Sequence, residues 1–239
     1  MVTIAVVPAY NNSSTIAATV TALRDQEAVD DVVVVDDGSA DDTAASAAAA
    51  RARVIRMGSN QGKHAALERG MEEAAADILL MVDGDTGPTA AAPVALIEPV
   101  AAGVADMAVA ILPSAGTQGG FGLVRNTASR LVRLASGFDP LAPMSGQRAL
   151  TREVFEACRP FAFGFGVDAA LTSDAVAHGF KVVEVPVDMS HDHRGRSLAG
   201  FVHRAKQGLH LLRSFVPRIF AARFGPSRKD RLNRAPRQG

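Results

Sequence analysis

Two carboxylates that flank a glycine, Asp83 and Asp85, directly follow an apolar run of strand length at residues 78–82. The run is too short for an amphipathic helix and is typical of a buried strand. Both carboxylates would therefore lie at the carboxyl end of a strand, where open α/β sheets bind ligands. Together they could hold one hard cation such as Mg²⁺ or Mn²⁺, usually shared with substrate phosphates. Asp and Gly are also common in surface turns, so the pair alone leaves both interpretations open.

A second acidic pair, Asp36 and Asp37, ends an all-valine run at residues 32–35. Carboxylates at such a place can accept hydrogen bonds from a base N–H or from ribose hydroxyls. The alternative is that they cap a turn before the next helix. Because several polar strand ends would converge, the pattern favours contact with a nucleotide.

The elements that must position these residues alternate between strand and helix, which predicts βαβ units around a parallel sheet. The predicted strands cover residues 3–8, 32–35, 53–57, 78–82, 106–112, 147–150 and 181–187. The predicted helices cover residues 15–26, 63–76, 123–135, 151–158, 167–178 and 199–222, with one Ala-rich helix that ends near residue 51. Three strand ends with polar residues would then meet at one crevice.

Cysteine content and hydropathy exclude several classes of protein. The single cysteine, Cys158, excludes an internal disulfide framework and a cysteine-cluster zinc site. No run of about 18 uncharged apolar residues is present, so we expect no transmembrane helix. No targeting pattern precedes the first predicted strand, which predicts a cytoplasmic location.

The neutral net charge hides a division along the chain. Residues 1–190 carry 13 Lys and Arg against 23 Asp and Glu, whereas residues 191–239 carry 12 against 2. A basic tail on an acidic body suggests a polyanionic partner such as phosphates, a membrane surface or nucleic acid, although it could also merely solubilise a frayed terminus. Nucleic acid is disfavoured, because the basic region carries no nucleic-acid fold signature.

Four short motifs occur in order within about the first 90 residues. They are Pro8-Ala9-Tyr10-Asn11, Val35-Asp36-Asp37-Gly38-Ser39 with Asp42-Thr43, Asn60-Gln61-Gly62-Lys63, and Asp83-Gly84-Asp85. As a set they resemble the family-2 glycosyltransferases of the GT-A fold. The resemblance implies a Rossmann-like, mixed but mostly parallel sheet flanked by helices.

The same resemblance implies a nucleotide-sugar donor, UDP- or GDP-linked, and a Mg²⁺ or Mn²⁺ cofactor. The donor-binding residues it implies are Pro8, Ala9, Tyr10 and Asn11 beside the base, Asp36 and Asp37 at the nucleoside, Lys63 near the donor, and Asp83, Gly84 and Asp85 at a metal-bridged diphosphate.

The second half of the chain narrows the resemblance to the polyprenyl-phosphate sugar transferases, the dolichol-phosphate mannose synthase group. Residues 145–154, 164–168 and 179–187 are similar to successive segments of that group. Three departures stand out, and they concern the acceptor more than the fold. Gln147 replaces the usual aromatic residue, Gly166 and Ala170 replace residues that are often acidic, and His191-Asp192-His193 is an atypical insertion.

A basic loop around Gly195 resembles the loop that closes over the donor phosphates in that group. Arg194 and Arg196 would contact phosphate through their guanidinium forks, or else form a solvated loop. His193 or His191 could complete the metal shell through an imidazole nitrogen, although a lone surface histidine usually has no such role.

Asp168 is the candidate catalytic base, because it opens a predicted helix at the mouth of the crevice. A sugar hydroxyl acceptor needs its proton removed, which a carboxylate can do. A lipid phosphate acceptor is already ionised, so Asp168 would then position rather than deprotonate it. The alternative is an aspartate placed at a helix N-terminus by the helix dipole.

The chain divides into a predicted catalytic domain at residues 1–198, a basic amphipathic helix at 199–225 and a disordered basic tail at 226–239. Within the domain, residues 1–112 would bind the nucleotide sugar and residues 113–198 the acceptor. The helix would lie peripherally on an anionic membrane surface at the inner face of the cell membrane. Alternatively it packs on the catalytic body, on a partner or on a second protomer in a homodimer.

These observations predict a metal-dependent inverting glycosyltransferase that moves a sugar from a nucleotide diphosphate to a polyprenyl phosphate. One alternative is transfer to a hydroxyl of a soluble small molecule or glycan. Another is a non-catalytic protein that binds nucleotide sugars or acts as a membrane scaffold.

Overall fold

The structure, a computed structural model, describes residues 1–113, 121–189, 213–220 and 222. Its strands are β1 (Thr3–Ala9), β2 (Asp31–Asp36), β3 (Arg53–Arg56), β4 (Ile78–Met81), β5 (Met107–Ile111), β6 (Arg148–Thr151) and β7 (Val182–Pro186). They form one sheet in the order β3-β2-β1-β4-β6-β5-β7. The first four strands are parallel, β6 is antiparallel to both β4 and β5, and β7 is parallel to β5. The predicted mixed, mostly parallel sheet is therefore confirmed.

The helices flank this sheet at nearly the predicted positions. They are α1 (Ile16–Arg24), α2 (Thr43–Ala49), α3 (Lys63–Glu73), α4 (Ile97–Ala101), α5 (Phe121–Ser136), α6 (Arg152–Cys158) and α7 (Val167–Ala177), with 3₁₀ helices at Gly87–Leu96 and Gly164–Gly166. The longer 3₁₀ helix and α4 were not predicted. The 3₁₀ segment contains Pro93, which cannot donate a backbone hydrogen bond.

Two apolar layers cover the sheet, one on each face. Side chains of α1 and α2 pack with Val32 and Val34 on one face, whereas α3, α6 and α7 pack with Val33 and Val35 on the other. Burial on both faces explains why the centre of β2, residues 32–35, is an unbroken run of valines rather than an alternating pattern. The strand ends are thereby held in fixed positions.

A third apolar cluster joins α5, α7 and the helical residues 213–220. Phe215 lies fully buried in this cluster. The remainder of the predicted helix at 199–225, the domain boundary at 198 and the tail at 226–239 lie outside the described residues.

No helix within the described parts of the chain combines the length and the apolar content that a bilayer crossing requires. The cytoplasmic location stays a prediction.

Candidate active site

The carboxyl ends of β2, β1 and β4 lie side by side, as the sequence predicted. Ala9 at the end of β1 pairs with Asp36 at the end of β2, and Val6 pairs with Met81 at the end of β4. The backbone N–H of Asp37 then donates to the carbonyl of Ala9 (2.8 Å). The three strand ends that were predicted to converge therefore lie at one edge of the sheet.

The first strand end is fastened to the second by Asn11, which adopts a positive φ of 54°. Its backbone N–H donates to Ser39 Oγ (2.9 Å), and its side-chain Oδ1 accepts from the N–H of Ala40 (3.0 Å). Pro8 and Ala9 lie directly before this loop, in the strand, and Tyr10 is 48% exposed. The loop thus offers an exposed ring beside a fixed backbone.

The two carboxylates after β2 have different partners. Asp37 accepts from the backbone N–H groups of Gln61 and Gly62, both at 2.7 Å, and so shapes the loop before α3. Asp36 Oδ1 accepts from the N–H of Ser39 (3.0 Å), whereas its buried Oδ2 accepts no hydrogen bond from the described residues. That oxygen lies 3.4 Å from Arg56 Nε. Asp37 therefore acts locally as a capping group, and Asp36 keeps an acceptor atom.

The turn after β4 is held tightly against α1. The carbonyl of Gly84 accepts from the hydroxyls of Thr15 (3.1 Å) and Thr19 (3.2 Å). A Cβ on Gly84 would lie 3.0 Å from the carbonyl oxygen of Pro8, which explains why a glycine separates the two carboxylates. Asp85 is exposed beside this turn.

Lys63, the first residue of α3, lies between two carboxylates. Its Nζ is 2.7 Å from Asp83 Oδ1 and 3.4 Å from Asp168 Oδ2, and its side chain is 30% exposed. Burial alone would lower the pKa of Lys63, but the charges of Asp168 and Asp83 outweigh that effect and raise it. The amine is therefore protonated throughout the physiological range. We call Lys63, Asp83 and Asp168 the ion cluster.

Asp168 lies in the first turn of α7, and its side chain is 14% exposed. Burial raises the pKa of Asp168, and the charges of Lys63 and Arg148 oppose that rise only in part. Its Oδ1 is buried and accepts no hydrogen bond from the described residues. A carboxylate with a raised pKa and an available oxygen is suited to take up a proton.

Sequence reasoning assigned no role to two residues that β6 brings to this cluster. Gln147 Nε2 donates to Asp83 Oδ2 (3.0 Å), and its Oε1 accepts from the N–H of Asp83 (3.1 Å). Arg148 is fully buried and donates to the carbonyl of Ser145 (2.9 Å) and to Thr172 Oγ1 (2.7 Å). The resemblance of residues 145–154 located this segment, but only the antiparallel pairing places it beside β4.

The described residues could supply part of the ligand shell of a divalent ion, with substrate phosphates and water as the other ligands. The described part of the chain contains no group of three or more His, Cys, Asp or Glu side chains arranged around one point. Asp83 and Asp85 supply hard oxygen donors, and Mg²⁺ commonly binds through one or two carboxylates with substrate phosphates and water. His191, His193, Arg194 and Arg196 lie outside the described residues.

The fold and the site together define an α/β protein of the GT-A type. Residues 4–163 match the family model of glycosyl transferase family 2. Because this match spans more than half of the 239 residues, the chain belongs to glycosyl transferase family 2. The predicted membership of the family-2 glycosyltransferases is thereby confirmed. The narrower resemblance to the polyprenyl-phosphate group is not confirmed by these matches.

A curated relative is the glycosyltransferase AglJ of Haloferax volcanii, which is 30% identical over 187 residues. The alignment covers 75% of this chain and 60% of that protein, so the chain spans about three fifths of the length of that relative.

Solved structures with a similar fold include glucosyl-3-phosphoglycerate synthase from Mycobacterium tuberculosis. That chain superposes with a TM-score of 0.76 at 24% identity, covering 91% of this chain and 80% of that one. The same enzyme in complex with Mg²⁺ and UDP gives a TM-score of 0.74 at 25% identity, over 91% and 79%. A structure described only as a mycobacterial protein gives 0.75 at 26% identity, over 91% and 74%.

Proposed function

We propose that this chain is a metal-dependent, inverting glycosyltransferase that moves a sugar from a nucleotide diphosphate to a polyprenyl phosphate. The observation that carries the proposal is the ion cluster. In it, Lys63 Nζ lies 2.7 Å from Asp83, which follows β4, and 3.4 Å from Asp168, which opens α7. A fixed cation thus separates a carboxylate suited to a metal-bound diphosphate from a carboxylate suited to an acceptor.

The donor nucleoside would bind across the ends of β1 and β2. Asp36 Oδ2 would accept from a base N–H or a ribose hydroxyl, because it accepts no hydrogen bond from the described residues and pairs by charge with Arg56 Nε at 3.4 Å. Asp37 would shape the pocket through its bonds to Gln61 and Gly62. The exposed ring of Tyr10 and the backbone from Pro8 would lie beside the base.

The diphosphate would lie between the turn after β4 and Lys63. A divalent ion held by Asp83 and Asp85 would neutralise the leaving group as the glycosidic bond breaks. Lys63 would add a permanent positive charge at the same place, since its carboxylate neighbours keep it protonated. Arg194 and Arg196, which lie outside the described residues, would also contact the phosphates. UDP and either Mg²⁺ or Mn²⁺ are the first choices, since the similar synthase was crystallised with UDP and Mg²⁺.

The acceptor oxygen would attack the anomeric carbon while the bond to the diphosphate breaks, which inverts the configuration. A phosphate acceptor has a second pKa of about 6 and is largely ionised at neutral pH. Asp168 would then orient the acceptor rather than remove its proton. Its burial within the cluster suits that orienting role.

The described C-terminal residues support association with a membrane surface. Phe215 is buried against the catalytic body, whereas Val216 and Phe220 are 66% and 65% exposed on the same helical segment. Exposed apolar residues beside Arg213 and a basic tail would suit an anionic bilayer. The same surface would suit a second protomer, which light scattering of the full chain would reveal as a dimer.

A second candidate acceptor is a small soluble molecule that carries a phosphate and a hydroxyl. The similarity to glucosyl-3-phosphoglycerate synthase favours it. With that acceptor Asp168 would be the base, so Asp168→Asn should abolish turnover. With a phosphate acceptor the same substitution should reduce turnover less completely.

A thermal-shift screen of UDP-, GDP- and dTDP-sugars with Mn²⁺ tests the donor site, because a ligand that binds the folded state raises its stability by mass action. Transfer of radiolabelled sugar from the binding donor to polyprenyl phosphate, phosphoglycerate or neither then identifies the acceptor. Chelator should abolish transfer, and Mn²⁺ or Mg²⁺ should restore it. A flat response to every donor would favour the non-catalytic alternative, and transfer by Asp83→Ala with Asp85→Ala would refute the metal assignment.

A further inference from the structure

Gln147 occupies a position where the resembling transferases usually have an aromatic residue, and the proposed function gives it no role. Gln147 is 1% exposed, and both ends of its side-chain amide bind Asp83. Nε2 donates to Asp83 Oδ2 at 3.0 Å, and Oε1 accepts from the backbone N–H of Asp83 at 3.1 Å. We propose that Gln147 is a positioning residue that fixes the carboxylate of Asp83 for binding a divalent cation.

The backbone of Gln147 is itself fixed. The carbonyl of Gln147 accepts from the N–H of Ala110 on β5 at 3.0 Å. The next residue, Arg148, is paired with Met81 of β4. The amide therefore extends from the residue directly before β6, whose backbone is held by β5. Sites supported by strands hold their geometry more closely than sites on loops.

The two hydrogen bonds from Gln147 restrict the Asp83 side chain more than a single bond would. Asp83 lies two residues beyond the end of β4. An amide that binds both the backbone N–H and the carboxylate of one residue fixes the side-chain dihedrals of that residue. An aromatic side chain at position 147 could pack against Asp83 but could not donate to Oδ2.

Lys63 and Gln147 differ in the chemistry of their bonds to the Asp83 carboxylate. Lys63 is a cation at Oδ1 (2.7 Å), whereas Gln147 is a neutral donor at Oδ2. An arriving divalent ion is repelled by Lys63 but not by Gln147, so Gln147 can keep its bonds while the ion binds. Partners that orient a metal ligand in this way typically change metal affinity by roughly 10–100-fold when they are removed. The inference rests on the proposed function only in taking Asp83 as a metal ligand.

The test uses Gln147→Met in the full chain, because methionine has a similar length and no amide. Mn²⁺ binding is measured in the presence of UDP by electron paramagnetic resonance, from the loss of the signal of free Mn²⁺. We expect about tenfold weaker binding, an unchanged melting temperature without metal, and turnover that recovers as Mn²⁺ is raised. The matched control is Gln26→Met, just beyond α1. Its side-chain amide donates to the carbonyl of Ala22 (3.1 Å) rather than to a residue of the candidate site, so its loss should leave Mn²⁺ binding unchanged.

Wild-type Mn²⁺ affinity in Gln147→Met would overturn the inference, and so would a loss of turnover that excess Mn²⁺ does not restore. If Gln147→Met fails to fold, Gln147→Asn replaces it, because its amide is one methylene too short to make both bonds; the same weakening of Mn²⁺ binding is expected. A wild-type chain that binds Mn²⁺ and UDP but transfers no sugar would count against the proposed function alone. Wild-type Mn²⁺ affinity in the variant would count against the role of Gln147 alone.

Discussion

The two edges of the candidate site are built in different ways. On the nucleotide side, β1, β2 and β4 are parallel neighbours, and each delivers its polar residues directly at its own carboxyl end. On the acceptor side, β6 enters antiparallel between β4 and β5, and Arg148 at its start and Gln147 directly before it reach the site. The nucleotide side thus depends on local sequence, whereas the acceptor side depends on a long-range pairing.

Lys63 is the residue that joins the two sides, and replacing it should have the largest effect. Lys63→Met would leave the carboxylates of Asp83 and Asp168 without the cation between them. Loss of one preorganised charge at a reacting centre costs about 10²–10³-fold in turnover, and we expect the upper end because two carboxylates share this cation. Steady-state sugar transfer at saturating Mn²⁺ measures the effect.

The matched control for Lys63→Met is Arg69→Met, which removes a cation from the same helix. Arg69 forms an exposed ion pair with Glu73 one turn further along α3, and such surface pairs contribute little to stability. Turnover of Lys63→Met within threefold of that control, on the order of 0.6 kcal/mol, would mean that the two sides act independently.

Phe215 tests whether the C-terminal segment belongs to the catalytic body. It is fully buried against Ala128, Val132 and Ala169, whereas Val216 next to it is 66% exposed. Removing a buried phenylalanine side chain typically costs about 3–5 kcal/mol, and we expect the lower end because this segment lies at the edge of the fold. Urea denaturation of Phe215→Ala, with Val216→Ala as the control, measures the difference. Equal stability of the two variants would show that the segment does not dock in solution.

Much of the nucleotide side could be predicted from the sequence because its signals are local. The valines at 32–35 predicted a buried strand, and the glycine between Asp83 and Asp85 predicted a turn. The different roles of Asp36 and Asp37 could not be predicted, since they depend on the position of the loop that contains Gln61 and Gly62. A capping carboxylate and a ligand-binding carboxylate have the same residue type and the same position relative to the strand.

The acceptor side was harder to predict because its contacts join distant residues. Lys63 and Asp168 are 105 positions apart, and no short pattern indicates that they meet. Gln147 was noted as a departure from the resembling group, but its bonds to Asp83 follow only from the antiparallel insertion of β6. Phe215 and Phe220 likewise both fall within the predicted helix at 199–225, but the burial of Phe215 and the exposure of Phe220 follow only from packing against α5 and α7.

Gly146 lies close against Lys63 and Asp83 of the ion cluster. A Cβ at that position would lie 2.5 Å from Lys63 Nζ and 2.6 Å from Asp83 Oδ2. Gly146→Ala should therefore displace both groups and reduce turnover by about 30-fold, since a misplacement of 1 Å can cost about 10²-fold. The control is Gly58→Ala, because a Cβ there meets nothing within 4 Å. Comparable sugar-transfer rates in the two variants would contradict the close approach.

Glu184 on β7 should give the smallest effect, because its hydrogen bonds on the acceptor side are made to backbone N–H groups. Its two carboxylate oxygens accept from the N–H groups of Leu141 (2.8 Å) and Ala142 (2.7 Å), which hold the loop that leads to Gly146. Glu184→Gln keeps one acceptor and replaces the other with an amide NH₂, which cannot accept from a backbone N–H. A hydrogen bond to a charged group contributes about 1.5–3 kcal/mol, and we expect a loss of about 1 kcal/mol because the loop can relax. A urea midpoint equal to that of the wild type, together with unchanged turnover, would mean that the loop is positioned by its own prolines rather than by β7.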